Sequence, residues 1–206
     1  MNVGSITPPP IGYRPTTLPG PQPIRWTIAQ YRELGKLGLL GDVRTMLIDG
    51  EILTVAQPAP PHNTALNLAY EFVRAAFPTG HHVRNQMALD VGIRNDPSPD
   101  LAVVQGSIRD YAARQATTAV LVVEVADSSL FLDTTTKAEL YATAGVPEYW
   151  VVDLENQRLL VYRDPVSLPA GLGATAYRTQ LVLTPADSIA QLAAPTASVR
   201  VADLLP

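Results

Sequence analysis

Three stretches of the chain repeat their apolar residues at the three- and four-residue spacing of an amphipathic helix. The first begins at Thr27, which forms the pattern of a capping box with Gln30, and it should end by Gly38. The second covers residues 63–77 and stops at the proline that follows. The third covers residues 134–144 and stops before a glycine. The pattern therefore predicts three helices.

Other stretches alternate apolar and polar residues or are apolar almost throughout, which predicts β-strands. Residues 43–55 are typical of a hairpin, because Asp49-Gly50 favours a tight two-residue turn. Residues 119–126 are apolar apart from Glu124, as expected of a central strand covered on both faces. Further strands are predicted at residues 83–91, 100–105, 149–153, 158–162 and 177–183.

This order of elements predicts an α/β (α+β) fold with a mixed central sheet flanked by helices. The chain has 206 residues, 47% of them apolar, which is enough for one buried core. Residues 1–25 contain seven prolines and few apolar residues, so we expect an extended, disordered tail there. Residues 26–206 are then expected to form a single domain.

The composition excludes several kinds of functional site. The chain has no cysteine, which excludes a disulfide framework, a thiolate nucleophile and a cysteine-ligated metal. The formal net charge of −4 argues against a broad basic surface that coats nucleic acid. DNA stays open as a substrate, because bound divalent cations would offset local carboxylates.

The sequence also suggests where the protein works. Residues 1–29 lack the basic start and apolar core of a secretory signal. No later apolar run reaches membrane-spanning length. We therefore expect a cytoplasmic protein that does not associate with membranes.

Two carboxylates stand out because each lies at or within an apolar strand. Asp100 follows Pro99 at the start of one strand, and Glu124 interrupts the most apolar strand. If these strands are neighbours, both carboxylates can bind one hard cation such as Mg²⁺, with the backbone carbonyl of Val125 as a further ligand. Asp100 alone could instead cap a turn, and Glu124 could pair with an arginine, since a lone buried carboxylate costs several kcal/mol.

Lys137 is the third candidate. The chain has fifteen basic residues, and all except Lys36 and Lys137 are arginine. Lysine can change its pKa and act as an acid or base, so its use at this position favours a chemical role. Lys137 could hold or deprotonate a metal-bound water. It also lies four residues after Asp133, which is the spacing of an ordinary helical ion pair.

Asp100, Glu124, Lys137 and the run Gly145-Val-Pro-Glu-Tyr-Trp-Val-Val-Asp153 together resemble the large Uma-type family of restriction endonucleases, members of the PD-(D/E)xK nuclease superfamily. The resemblance covers the chain from Thr27 to its C-terminus. It implies a restriction-endonuclease-like fold in which Asp100 and Glu124 bind a divalent metal, Mg²⁺ or Mn²⁺. The usual lysine position, two residues after Glu124, holds Ala126, so the resemblance implies that Lys137 takes this role from the following helix.

Several further residues are candidates for the same site. Glu51, in the run Asp-Gly-Glu-Ile, matches a recurrent acidic position of the family and is an expected extra carboxylate. His62 could approach the site or a phosphate, although a histidine at a helix start is more often only exposed. Gln86, on the preceding strand, is a further candidate. Asp127 departs from the family pattern, in which serine is more common.

These observations lead to three functional hypotheses. The first is a Mg²⁺- or Mn²⁺-dependent endonuclease that hydrolyses DNA, as a homodimer because cutting two strands usually calls for two sites. The second is a catalytically inactive nuclease-fold module that binds a protein or nucleic-acid partner. The third is a hydrolase that uses the two carboxylates as an acid/base pair on another substrate, such as a glycoside, where the lysine has no role.

Overall fold

The computed structural model describes residues 21–168 and 175–206 of the chain. Most of the predicted proline-rich tail, residues 1–20, therefore lies outside the described residues. Its last residue, Arg25, is anchored: the guanidinium donates to the carbonyl of Asp49 at 3.1 Å and pairs with Glu51 at 2.5 Å. The backbone N–H of Trp26 donates to the carbonyl of Gly50 at 2.9 Å. These contacts attach Arg25 and Trp26 to the Asp49–Gly50 turn.

Three main helices, ten strands and two short 3₁₀ helices (Ile108–Tyr111 and Val201–Leu204) form the described fold. Helix α1 spans Ile28–Lys36 and α2 spans Pro60–Ala76, while α3 joins Leu130–Leu132, a π-helical turn at Asp133–Lys137, and Ala138–Thr143. The strands are β1 (Thr45–Ile48), β2 (Glu51–Thr54), β3 (His81–Asn85), β4 (Leu101–Gln105), β5 (Leu121–Ala126), β6 (Glu148–Asp153), β7 (Arg158–Ser167), β8 (Thr175–Leu183), β9 (Ser188–Gln191) and β10 (Ala194–Arg200). No helix in this part of the chain is long and apolar enough to cross a membrane.

Six strands form the central sheet in the order β3-β4-β5-β6-β7-β8. Strands β5 and β6 are parallel, and every other neighbouring pair is antiparallel. A parallel pair needs a crossover, which α3 supplies between β5 and β6. The predicted mixed central sheet flanked by helices is confirmed.

The two faces of the sheet carry different layers, and alternation along β5 decides which residue points to which layer. Val123 and Val125 belong to the buried cluster covered by α2 and the β9–β10 hairpin. Val122 and Ala126 belong to the cluster covered by α3 and the β1–β2 hairpin. Glu124, between them in the alternation, therefore lies on the α3 side of the sheet.

The predicted hairpin and first helix are confirmed. Asp49 and Gly50 have φ values of 49° and 73°, as a two-residue turn of this kind requires. A Cβ at Gly50 would lie 3.0 Å from the backbone of Trp26, so glycine is also needed for this close approach. The capping box of Thr27 and Gln30 is present at the start of α1.

Two parts of the sheet differ from the prediction. The strand predicted at residues 83–91 ends at Asn85, because Gln86 adopts a left-handed conformation with φ of 49° and turns the chain. The β9–β10 hairpin was not predicted, since Leu192 and Ala193 between its strands carry no turn signal. Helix α2 begins at Pro60, three residues before the predicted start, because proline is tolerated in a first helical turn.

A buried carboxylate joins the β9–β10 hairpin to the central sheet. Glu148 is fully buried and accepts hydrogen bonds from Trp150 Nε1 at 2.9 Å, from Arg163 at 2.6 and 2.9 Å, and from the backbone N–H of Leu192 at 2.6 Å. Arg163 also donates to the carbonyl of Ala190 at 2.6 Å. Glu148, on β6, therefore joins this strand to β7 and to the β9–β10 hairpin.

We predict that Glu148→Ala lowers the free energy of unfolding by roughly 3–5 kcal/mol, because it leaves the guanidinium of Arg163 and two N–H groups without their acceptor. Urea unfolding followed by circular dichroism measures this loss. Glu155→Ala, an exposed glutamate in the turn between β6 and β7, is the matched control and should change the value by no more than about 0.5 kcal/mol. Equal effects of the two variants would contradict the assignment.

Candidate active site

Three of the predicted site residues lie in one row across the sheet. Asn85 of β3 pairs with Leu101 of β4, which pairs with Val123 of β5. The residues one step beyond this row are Gln86, Asp100 and Glu124, at the end of the sheet where β3 and β4 meet the loops. Residues directly opposite on antiparallel strands have Cβ atoms about 5 Å apart, so the register itself brings the two carboxylates together.

Asp100 accepts hydrogen bonds from three directions. Gln86 Nε2 lies 3.0 Å from Oδ1, while the backbone N–H of Val125 at 2.8 Å and His62 Nε2 at 3.2 Å both contact Oδ2. Burial by itself would raise the pKa of Asp100, but the hydrogen bonds from His62 and Gln86 outweigh burial and hold the pKa below its ordinary value. Asp100 is therefore an anion at neutral pH.

Glu124 lies deeper, with only 3% of the residue exposed. Its Oε1 accepts a hydrogen bond from the hydroxyl of Tyr141 at 2.7 Å and lies 3.0 Å from Lys137 Nζ. Its Oε2 is 3.4 Å from the backbone nitrogen of Asp100. Burial, helped by the neighbouring carboxylates of Asp133 and Asp100, raises the pKa of Glu124 to about 7 against the attraction of Lys137. Near neutral pH this carboxyl group can therefore gain or lose a proton.

Lys137 is held between two carboxylates. Its Nζ lies 3.0 Å from Glu124 Oε1 and 2.8 Å from Asp133 Oδ1. Asp133 is itself buried, and its Oδ2 accepts a hydrogen bond from Ser129 Oγ at 2.5 Å. Burial would lower the pKa of Lys137, but the two carboxylates outweigh it and raise the pKa above the ordinary value. Lys137 is therefore a cation at neutral pH.

The π-helical turn Asp133–Lys137 widens α3 at the point where Lys137 enters the site. Two threonine hydroxyls bond carbonyls one turn back: Thr134 Oγ1 to Leu130 at 2.7 Å and Thr135 Oγ1 to Phe131 at 2.6 Å. The hydroxyl of Tyr149 donates to the carbonyl of Asp133 at 3.0 Å. These side chains supply hydrogen bonds where the regular helical ladder is disturbed.

Ala126 shows why the lysine comes from a helix. It points to the same face of β5 as Glu124, and it is buried in the same cluster as Ala138, the residue after Lys137. The small side chain at this position is covered by α3. A lysine there would be placed under the helix that now carries Lys137.

A cavity of about 340 Å³ opens over this end of the sheet. Its lining includes six of the residues that the sequence singled out: Asp100, Glu124, Val125, Lys137, His62 and Gln86. His62 is not simply an exposed residue at a helix start, since its Nε2 contacts Asp100. This hydrogen bond raises the pKa of His62. Asp127 also lines the cavity.

Glu51 is not brought to this cavity. It lies at the turn of the β1–β2 hairpin with 55% of its side chain exposed, and it pairs with Arg25. The aromatic residues Tyr149 and Tyr162 are buried and stack on each other inside the chain, 5.5 Å between ring centroids.

Sequence reasoning missed three residues of the site. Asp133 was recognised only as an i,i+4 partner of Lys137, and Ser129 and Tyr141 were not considered. The helical spacing does carry a signal for Tyr141, which follows Lys137 by four residues and so lies on the same side of the helix.

The donor set fits a hard divalent cation. Asp100 and Glu124 offer carboxylate oxygens at one end of the sheet, and Val125 lies beside them. Among the residues that the structure describes, no group of three His, Asp or Glu side chains is arranged to hold a metal alone. Magnesium accepts such a site, because it binds one or two carboxylates and takes its other ligands from water and substrate phosphate.

Comparison with known proteins agrees with this architecture. A solved structure from Anabaena variabilis ATCC 29413, described as a "putative nuclease belonging to DUF820", superposes with a TM-score of 0.67 at 17% sequence identity. The match covers 88% of this chain and 97% of the other. At this level of identity the likeness shows the fold. None of the curated proteins matches the sequence.

The sequence itself matches a family model over residues 28–202, which include every residue of the candidate site. The model is that of Uma2, described as "Putative restriction endonuclease". This chain therefore belongs to the Uma2 family.

Proposed function

We propose that this protein is a Mg²⁺- or Mn²⁺-dependent endonuclease that hydrolyses phosphodiester bonds in DNA. The observation that supports the proposal most directly is the meeting of Asp100, Glu124 and Lys137 in one cavity at the end of the sheet. Family membership and the shared fold agree with it. The homodimer and the cytoplasmic location stay predictions.

Asp100 and Glu124 would hold the metal, with the carbonyl of Val125 as a third protein oxygen. A bound divalent cation would polarise the phosphoryl oxygen and lower the pKa of an attacking water. The hydrogen bonds from Gln86 and the Val125 N–H to Asp100 fix the orientation of that carboxylate before any ligand enters. Little reorganisation is then needed when substrate binds.

Lys137 acts as a fixed positive charge in this proposal. Its raised pKa keeps the proton on Nζ, so the side chain does not serve as a general base at neutral pH. The ammonium can instead orient a nucleophilic water and stabilise negative charge that develops on the phosphate. Asp133 is a positioning residue, since its Oδ1 contacts Nζ at 2.8 Å.

The alternative is a catalytically inactive nuclease-fold module that binds a protein or nucleic-acid partner. The observation that favours it is the closed network around Lys137, in which two carboxylates already neutralise the ammonium. The acidic net charge of −4 agrees with this alternative as well. Both readings use the same fold, so a cleavage assay separates them.

We predict that the purified protein cleaves plasmid DNA only when Mg²⁺ or Mn²⁺ is present, and that Glu124→Gln and Lys137→Ala each lower the rate by roughly 10²–10³-fold. The expected loss is that of removing one group that stabilises charge in the transition state. Gel electrophoresis of cut plasmid over time measures the rate.

Lys36→Ala is the matched control for the lysine variant, because Lys36 is exposed on α1 and pairs only with Glu33 in the described structure. Glu155→Gln serves the same purpose for the glutamate variant. Both controls should cleave at the wild-type rate. Wild-type protein that neither cleaves DNA nor binds Mn²⁺ in calorimetry, while folded, would remove the nuclease proposal.

The pKa of Glu124 gives a pH prediction. In the metal-free protein the carboxyl group takes up a proton below about pH 7, and this proton competes with the metal, so the Mg²⁺ concentration needed for half-maximal cleavage should rise as the solution becomes more acidic. Cleavage rates measured against Mg²⁺ concentration in a series of buffers test this. A half-maximal Mg²⁺ concentration that is the same at pH 6 and pH 8 in the wild type would contradict the assignment of Glu124 as a ligand.

The metal-free protein should show the opposite trend in stability. The pKa of Glu124 is higher in the folded chain than its ordinary value of 4.5, so the folded state binds the extra proton. Its contribution to stability is complete below about pH 4.5 and is lost as the pH rises through about 7. Thermal unfolding without metal at several pH values, with Glu124→Gln as the reference that lacks this group, measures the difference.

A further inference from the structure

The cavity is a cleft with two walls. The open end of the β1–β2 hairpin and the segment after it form one wall, which includes Arg44, Thr54 and residues 55–59. The other wall contains Asp127 and the residues that lead into α3. The floor carries Asp100 and Glu124. A strand of DNA that reaches Asp100 and Glu124 therefore enters a cavity that Arg44 and Asp127 also line.

The lining of this cleft offers little positive charge that is free to bind a phosphate. A phosphodiester entering it would lie near the carboxylates of Asp100, Glu124 and Asp127. Two of the basic side chains in the lining already have acidic partners: Lys137 pairs with Glu124 and Asp133, and His62 pairs with Asp100. Neither is free to neutralise a phosphate outside the reacting centre.

Arg44 is the remaining basic side chain in the lining. It is half-buried, and within residues 21–168 and 175–206 its guanidinium has no hydrogen-bond or ion-pair partner. Its backbone carbonyl accepts a hydrogen bond from the N–H of Val55 at 2.8 Å, which fixes the residue at the open end of the hairpin. By contrast, Arg32 and Arg163 elsewhere in the fold are both paired with carboxylates.

We infer that Arg44 is a substrate-binding residue that holds a phosphate of the DNA strand next to the one that is cleaved. A guanidinium binds a phosphate through two parallel hydrogen bonds, and a partially desolvated site strengthens them. The inference rests on the proposed function and narrows its substrate: the site prefers a strand with neighbouring phosphates over an isolated phosphodiester.

Binding of a short fluorescein-labelled duplex in Mg²⁺, followed by anisotropy in the Glu124→Gln background, tests this directly. Arg44→Ala should bind about ten- to hundredfold more weakly and should lower the slope of log affinity against log salt by about 1. The affinity of Arg44→Lys should lie between those of the parent protein and Arg44→Ala, because lysine keeps the charge and loses the paired hydrogen bonds.

Arg178→Ala is the matched control. Arg178 is exposed on β8, the edge strand of the sheet farthest from β3, and its loss changes the net charge by the same amount. This control should bind like its parent. Equal affinities of the Arg44→Ala and Arg178→Ala proteins would overturn the inference, and so would a parent protein that binds no DNA. Thermal unfolding shows whether each variant is folded.

Hydrolysis of bis(4-nitrophenyl) phosphate completes the test, because this diester has no neighbouring phosphate. In the otherwise wild-type chain, Arg44→Ala should raise the KM for DNA about tenfold more than it raises the KM for this diester. A parallel loss on both substrates would overturn the assignment to a neighbouring phosphate. DNA binding that depends on Arg44 without cleavage by the wild type would retain the inference and remove the nuclease proposal. Cleavage by the wild type that does not depend on Arg44 would retain the nuclease proposal and remove the inference about Arg44.

Discussion

The ammonium group of Lys137 lies buried between the carboxylates of Glu124 and Asp133, and the rest of the site depends on this arrangement. None of the three charges could be kept at this depth alone, because burial of an unpaired ion costs several kcal/mol. The contact also joins β5 to α3, so the groups that neutralise one another hold the helix against the sheet at the same time. The same ion pairs therefore neutralise the buried charges and fix the position of α3 on the sheet.

The other half of the site follows from the sheet. Gln86, Asp100 and Glu124 continue a register already set by apolar pairs such as Leu101 with Val123. Burial specifies that register, since a slip of one residue would turn Glu124 from the α3 side of the sheet into the apolar cluster covered by α2. The carboxylates thus inherit their positions from a core that has no chemical role, and side-chain and backbone hydrogen bonds replace the ladder where it ends.

Local patterns were enough to predict much of this structure. The Asp49-Gly50 turn, the capping box at Thr27 and the apolar strand around Glu124 each rest on neighbouring residues, and each is present. What could not be predicted depends on distant contacts or on backbone irregularity. The end of β3 follows from the left-handed conformation of Gln86, and the pairing of His62 with Asp100 requires α2 to cross the sheet. The β9–β10 hairpin is stabilised through Glu148, more than forty residues away in the sequence from Leu192.

The π-helical turn at Asp133–Lys137 has an evolutionary consequence. A π turn is an α-helix that has gained one residue, and each residue in a regular helix accounts for about 100° of rotation. Residues before and after the turn are therefore offset from the positions that a continuous α-helix would give them. Loss of one threonine between Asp133 and Lys137 would remove this offset, so Lys137 and the buried residues after it, such as Tyr141, would no longer fit their present contacts together with the segment before the turn. One codon deletion would thus set the ion pairs of Lys137 against the packing of α3, whereas strand pairing would hold a lysine carried on a strand in its place.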